Sequence, residues 1–125
     1  MENITIEATN HTPSVDFNPD GFLKIEGRSY PENASEFFDP LIEFASRLEA
    51  EEVLLEINLE YINTASSKKI YNLLKELDMN EEVDTITVDW HYEEGDDDSI
   101  ETAEIFEESL GRTNFRYNEM ADLTL

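Results

Sequence analysis

The chain has 125 residues, enough for one domain around a single core. Its 31 Asp and Glu against eight Lys and Arg give a formal charge of −23. That surplus excludes nucleic acid, whose phosphates need clustered cations, and anionic membrane surfaces. The complement of such a surface is a protein partner.

In chain order, "NITIEA" (3–8) alternates Ile4 and Ile6 with polar residues and predicts a short strand. Two extended pieces, near 14–17 and 22–26, flank the turn residues Asn18, Pro19, Asp20 and Gly21, so an N-terminal β-hairpin is expected. From 30 to 50 a helix is predicted. Asn33 and Glu36 have the spacing of a capping box, and Phe37, Leu41, Phe44, Ala45 and Leu48 share one face. Pro40 lacks an N–H inside that pattern, which predicts a kink or an irregular first turn.

Residues 53–62 alternate again, with Val53, Leu55, Ile57, Leu59 and Tyr61 expected inward. A hydroxyl-rich junction, Asn63-Thr64-Ala65-Ser66-Ser67, then leads through Lys68 and Lys69 into a helix with Ile70, Leu73, Leu74 and Leu77 on its apolar face. A strand over 83–92 places Ile86, Val88, Trp90 and Tyr92 inward. After an acidic loop (93–98) comes a helix over 99–110 with Ile100, Ala103, Phe106 and Leu110 inward and Asp98 and Glu101 as its cap; 114–120 is a last strand.

The expected fold is therefore α/β: one domain (1–125) with a mixed sheet and its helices mainly on one face. Residues 1–28 hold the strands and hairpin, 29–118 the alternating part and 119–125 a tail. A sheet covered on both faces would have continuous apolar strands, whereas these alternate. The open face should then display Glu56, Asn58, Glu60, Thr85, Thr87, Asp89 and His91, a surface that is either solvated or docks a partner.

Few chemistries have support. There is no cysteine, hence no disulfide or thiolate. No basic-then-apolar start or membrane-length apolar run appears, so a cytoplasmic setting is expected and the N-x-[ST] triplets at Asn3, Asn10 and Asn33 carry no weight. Only His11 and His91 could serve a triad, and a hydrolase using Ser66 and His91 would lack the Gly-x-Ser-x-Gly elbow. No phosphate-binding glycine loop occurs, and "EEGDDDSIE" (93–101) lacks the spacing of a twelve-residue calcium loop, so no cofactor or metal is expected. The junction stands out. A strand running into a helix N-terminus is where open α/β sheets carry sites, and free N–H groups with two lysines suit an anion. The plainer role is capping, by Asn63, Thr64 or Ser66.

Three stretches, "SYPENASEFFDPLIEF" (29–44), "LEYINTASSKKIYNLL" (59–74) and "VDWHYEEGDDD" (88–98), together with Ile6, Thr9, Thr12 and Pro13 in an I-x-x-T-x-x-T-P opening, resemble the SiaC family of bacterial regulatory phosphoproteins, which are akin to STAS (anti-anti-sigma-factor) domains. The resemblance runs to about residue 118 and implies a non-enzymatic regulator. It makes Thr64 the phosphorylated residue, with Ser66 and Ser67 as lesser candidates and Asn63, Lys68 and Lys69 around them. Ala65 departs from the family's usual serine. The implied partners are an anti-sigma-factor-like Ser/Thr kinase, a PP2C-type phosphatase, and a diguanylate cyclase engaged by the unmodified form, linking the chain to cyclic di-GMP and biofilm control. The rival expectation is a constitutive acidic interaction module that uses Glu56, Asn58, Glu60, Asp89 and His91, with Thr64 only a cap.

Overall fold

A computed structural model describes residues 1–121; of the tail expected at 119–125, residues 122–125 lie outside the described part. The elements are β1 (Ile4–Ile6), β2 (Ser14–Phe17), β3 (Phe22–Ser29), α1 (Ala34–Arg47), β4 (Ala50–Ile62), α2 (Thr64–Met79), β5 (Val83–Glu93), α3 (Asp97–Ser109) and β6 (Thr113–Met120). They form one six-stranded sheet in the order β1-β2-β3-β4-β5-β6. The first two pairings are antiparallel and the other three parallel, so the mixed sheet with its N-terminal hairpin is as expected. The hairpin turn requires Gly21: its φ is +114°, and a Cβ there would run into the carbonyl oxygen of Glu52.

The core lies between the sheet and the helices. Val53, Leu55 and Ile57 of β4, Ile86, Val88 and Trp90 of β5, and Ile70, Leu73, Leu74 and Leu77 of α2 are all buried, as their periodicity predicts. Among the described residues, no helix covers the other face of the sheet.

Several local expectations are corrected. In α1 the fully buried aromatic is Phe38, and Phe37 is half-buried beside it, ring centroids 4.9 Å apart. Both positions fit a helical period with Leu41, Ala45 and Leu48, so spacing alone could not choose between them. Pro40 lies inside α1, whose helical assignment continues on both sides of it. Pro40 and Glu36 are both exposed, which lets water take the carbonyl that the missing N–H would have served. In α3 the cap is Asp96, whose carboxylate accepts the Ser99 N–H at 3.1 Å, and the helix starts two residues earlier than expected. Ile100 and Tyr92 are half-buried.

Tyr61 is the most informative departure. It points outward, because a bulge interrupts the β3–β4 ladder: Gly27 pairs with Leu59 but Arg28 pairs with Tyr61, leaving Glu60 as an extra residue. The insertion shifts the alternation by one, so Tyr61 joins the open face and Ile62 turns toward the core.

Candidate functional site

β4 hands the chain to α2 at Asn63 and Thr64. Asn63 is the cap: its backbone is extended, and its side-chain oxygen accepts the Ser66 N–H at 2.8 Å. Its own N–H donates to the Ser29 carbonyl at the end of β3 (3.0 Å), while its carbonyl accepts the Ser67 N–H (2.9 Å). Beneath it the Ser29 hydroxyl donates to Ser66 Oγ at 2.8 Å, and both residues are fully buried. The first turn of α2 is thus fastened to β3 by two independent bonds.

The hydroxyls of the junction occupy three environments. Thr64, the first helical residue, is exposed; Ser66 is 0 % exposed and bonded to Ser29; Ser67 is half-buried. Thr64 opens onto a depression of about 440 Å³ lined by Asn63, Ser67, Lys68 and Tyr71 on the α2 side and by Thr102 and Phe106 of α3. Helix geometry gives the N–H groups of Thr64 and Ala65 no intrahelical acceptor, so this end carries partial positive charge. The two lysines diverge. Lys68, one turn beyond Thr64, is exposed and lines the same depression. Lys69 pairs instead with Asp39 of α1 at 2.7 Å.

His91 sits on the open face of β5, one residue after Trp90, whose ring packs inward against Phe106 of α3. The sheet therefore separates it from Ser66, and the Ser66–His91 hydrolase is ruled out. His11 is exposed in a loop, its ring 6.0 Å from that of Tyr30. Among the described residues, no three His, Asp or Glu side chains converge in a way that would hold a metal ion.

On the open face, register aligns Asp16, Lys24, Glu56, Asp89 and Arg116 in one row across five strands. Asp89 is buried beneath Arg116, which donates to both its oxygens at 2.6 and 2.7 Å. Those bonds are the main cause that holds the Asp89 carboxyl below the usual carboxylate range, with burial acting against them. Glu60 is exposed at the bulge, and Glu56, Asn58 and His91 are half-buried among their neighbours.

A family model described as SiaC family regulatory phosphoprotein matches residues 6–120. The chain belongs to the SiaC family. Solved structures of the family share its fold. Apo-SiaC from Pseudomonas aeruginosa is 30 % identical with a TM-score of 0.77, covering 94 % of this chain and 99 % of its own. A crystal structure of the diguanylate cyclase SiaD in complex with its activator SiaC, from the same organism, matches with a TM-score of 0.80 at 29 % identity, again over 94 % and 99 %. An uncharacterized protein of P. aeruginosa (strain UCBPP-PA14) is 32 % identical over 116 residues, 86 % of this chain and 90 % of its own length.

Membership of the SiaC family makes this chain a regulatory protein. Among the described residues, no helix is long and apolar enough to cross a membrane. Sequence reasoning about this SiaC-family chain missed Ser29, whose backbone and hydroxyl both hold the junction, and Thr102 and Phe106, which complete the depression. Ser29 lies 37 residues from Ser66, and nothing local in "GRSYP" marks it.

Proposed function

We propose that this SiaC-family chain is a non-enzymatic switch, in which the form with a free Thr64 hydroxyl binds and activates a diguanylate cyclase and phosphorylation of Thr64 ends that engagement. The observation that carries the reading is the exposure of Thr64 at the first position of α2, where a kinase can reach it, while Ser66 is sealed against Ser29. Ser67, half-buried, is the lesser acceptor. The complex of SiaC with the cyclase SiaD supports the choice of partner. A Ser/Thr kinase of the anti-sigma-factor type adds the phosphate and a PP2C-type phosphatase removes it, in the cytoplasm. The open sheet around Glu56, Asn58, Glu60 and His91, with Asp89 locked underneath, is a second contact surface.

The switch needs no change of fold. A phosphoryl group on Thr64 brings about −1.5 to −2 charge to a helix N-terminus that tolerates anions, with Lys68 one turn away. The cost falls on the complex: a partner packed over a neutral hydroxyl would have to bury a dianion, at several kcal/mol. A loss of about 2.7 kcal/mol already lowers affinity roughly a hundredfold. In a binding titration with the cyclase, Thr64→Ala should match the unmodified chain and Thr64→Glu should bind far more weakly. Equal binding by both variants would remove the switch. Mass spectrometry after incubation with the kinase addresses the rival module: no modification at residues 64–67 leaves a constitutive acidic binder.

A further inference from the structure

Two exposed aromatic side chains stand at opposite ends of the open sheet face. Phe22, at the start of β3, is 66 % exposed. Its neighbour across the ladder is Leu54, half-buried on the same face, and the pair stands where two depressions of about 550 and 310 Å³ meet. At the other end Tyr61 is 50 % exposed and meets Tyr30 edge-on at 5.5 Å, with the Arg28 guanidinium 5.5 Å over the Tyr30 ring. The bulge at Gly27/Arg28 is what turns Tyr61 to this side. Tyr61 lies seven residue steps beyond Leu54 along β4, roughly 23 Å of strand. Water alone gives no reason to place large rings at both ends of an otherwise polar face.

The charge between the ends is acidic once the ion pairs are set aside, Arg28 over the Tyr30 ring at the Tyr61 end being a cation of this face outside those pairs. Lys24 is bonded to Glu26 at 3.0 Å and Arg116 to Asp89. Among the described residues, Asp16, Asp20, Glu52, Glu56 and Glu60 have no cation within ion-pair distance. We infer that this face docks an amphipathic helix of a partner protein, about four turns long, with apolar side chains seated at Phe22 and Tyr61 and Lys or Arg facing the carboxylates between them. A helix is the element that covers the other face of the same sheet, and about 15 residues of helix span the distance between the anchors. A second copy of this chain would bring −23 against −23 and is disfavoured. The inference rests on reading the open face as a contact surface. It is independent of Thr64, which opens onto the helix layer.

The test titrates a synthetic Leu/Lys amphipathic peptide of about 16 residues into the full ¹⁵N-labelled chain, with a Leu/Glu peptide of the same pattern as control. Saturable amide shifts are expected at Phe22, Leu54, Glu56 and Tyr61. Affinity should fall about tenfold or more in Phe22→Ser and again in Tyr61→Ser. Both side chains are exposed, so unchanged melting temperatures are expected to accompany the loss. Thr64→Glu should leave the peptide's affinity within about twofold. Four outcomes overturn the proposal: no saturable binding, shifts spread evenly over the acidic surface, equal binding of the Leu/Glu peptide, or no effect of Phe22→Ser. Self-association that shifts the same amides without peptide makes a second copy the occupant and also overturns it. Any of these leaves the Thr64 switch standing, and a failure to modify Thr64 leaves this surface standing.

Discussion

The C-terminal end of α2 is tied down by buried hydrogen bonds on its inner side, with Met79 facing out, whereas its N-terminal end is fastened below and open above. At the closed end the buried Asp78 carboxylate accepts the N–H groups of Gly111 (3.1 Å) and Arg112 (3.0 Å) and the Thr113 hydroxyl (2.8 Å). The Arg112 guanidinium donates in turn to the carbonyls of Leu77, Asp78, Asn80, Val83 and Asp84. Asn80 donates to the carbonyls of Ala45 and Leu48, which closes α1 as well. At the open end Asn63 and the Ser29–Ser66 bond hold the turn, and Thr64 stays free. The sixteen residues of the helix put roughly 24 Å between the two ends. The difference teaches a division of labour: the long-range hydrogen bonds are gathered where α1, α2, β5 and β6 converge, so the Thr64 hydroxyl can stand exposed at the far end without loosening the fold.

The largest effect is expected from Asp78→Ala, which leaves two N–H groups and a hydroxyl without their acceptor at a buried site. A loss of about 3 kcal/mol or more in urea unfolding should follow. Kinase modification of Thr64 in the folded protein should be unchanged. If it falls too, the two ends are coupled and the division fails.

Acid probes the same end more gently. Burial acts to raise the Asp78 carboxyl, but the hydrogen bonds from the Arg112 N–H, the Thr113 hydroxyl and the Gly111 N–H together outweigh it and hold it below the ordinary carboxylate range. Because the folded chain holds that proton less tightly than the unfolded one, the contribution is complete above the unfolded value near 3.9. It is lost as pH falls through the lower, folded value. Denaturant midpoints measured from neutral pH downward should therefore fall, and Asp78→Asn should reduce that part of the slope. An equally steep slope in the variant would assign the acid sensitivity to other carboxylates.

The smaller end effect belongs to Asn63→Ala, which removes the cap from Ser66 N–H and should cost about 1 kcal/mol. Here the expected signature is reversed: a modest stability loss with a clear slowing of Thr64 modification, read by mass spectrometry over time. A variant as quickly modified as the parent would mean that the kinase does not need the turn held in place.

The contrast also marks what the sequence could reveal. Periodicity is a local signal, and it gave the order of strands and helices, the α2 apolar stripe and the junction itself. The closed end was invisible because its bonds span 28 to 35 residues, and neither Asp78 nor Arg112 sits in a local motif. Adjacency groups Lys69 with Lys68, yet its partner Asp39 lies 30 residues back on α1. Alternation alone puts Tyr61 on the wrong face, because a bulge is a property of two strands, hinted at only by Gly27 on the other one. In "DDD" (96–98) three consecutive Asp offer equivalent caps, and spacing cannot rank them.

The finest separation between the ends comes from the stability of Thr64→Glu. A carboxylate in the first turn interacts favourably with the helix dipole, by about 0.3–1 kcal/mol at low salt, and can pair with Lys68 four residues on for a few tenths more. Glu also has the better helix propensity. Against this stands repulsion within a chain already at −23. The balance should leave the variant as stable as its parent or up to about 0.5 kcal/mol more so, with the gain shrinking as salt is added. Thermal unfolding at low and high ionic strength measures it. A variant that holds its melting temperature and loses its partner acts at the interface, as an exposed hydroxyl on a pinned turn requires. A variant that melts several degrees early would instead place the effect of the charge in the first turn of α2, and the open end would then be a folding switch, not a docking one.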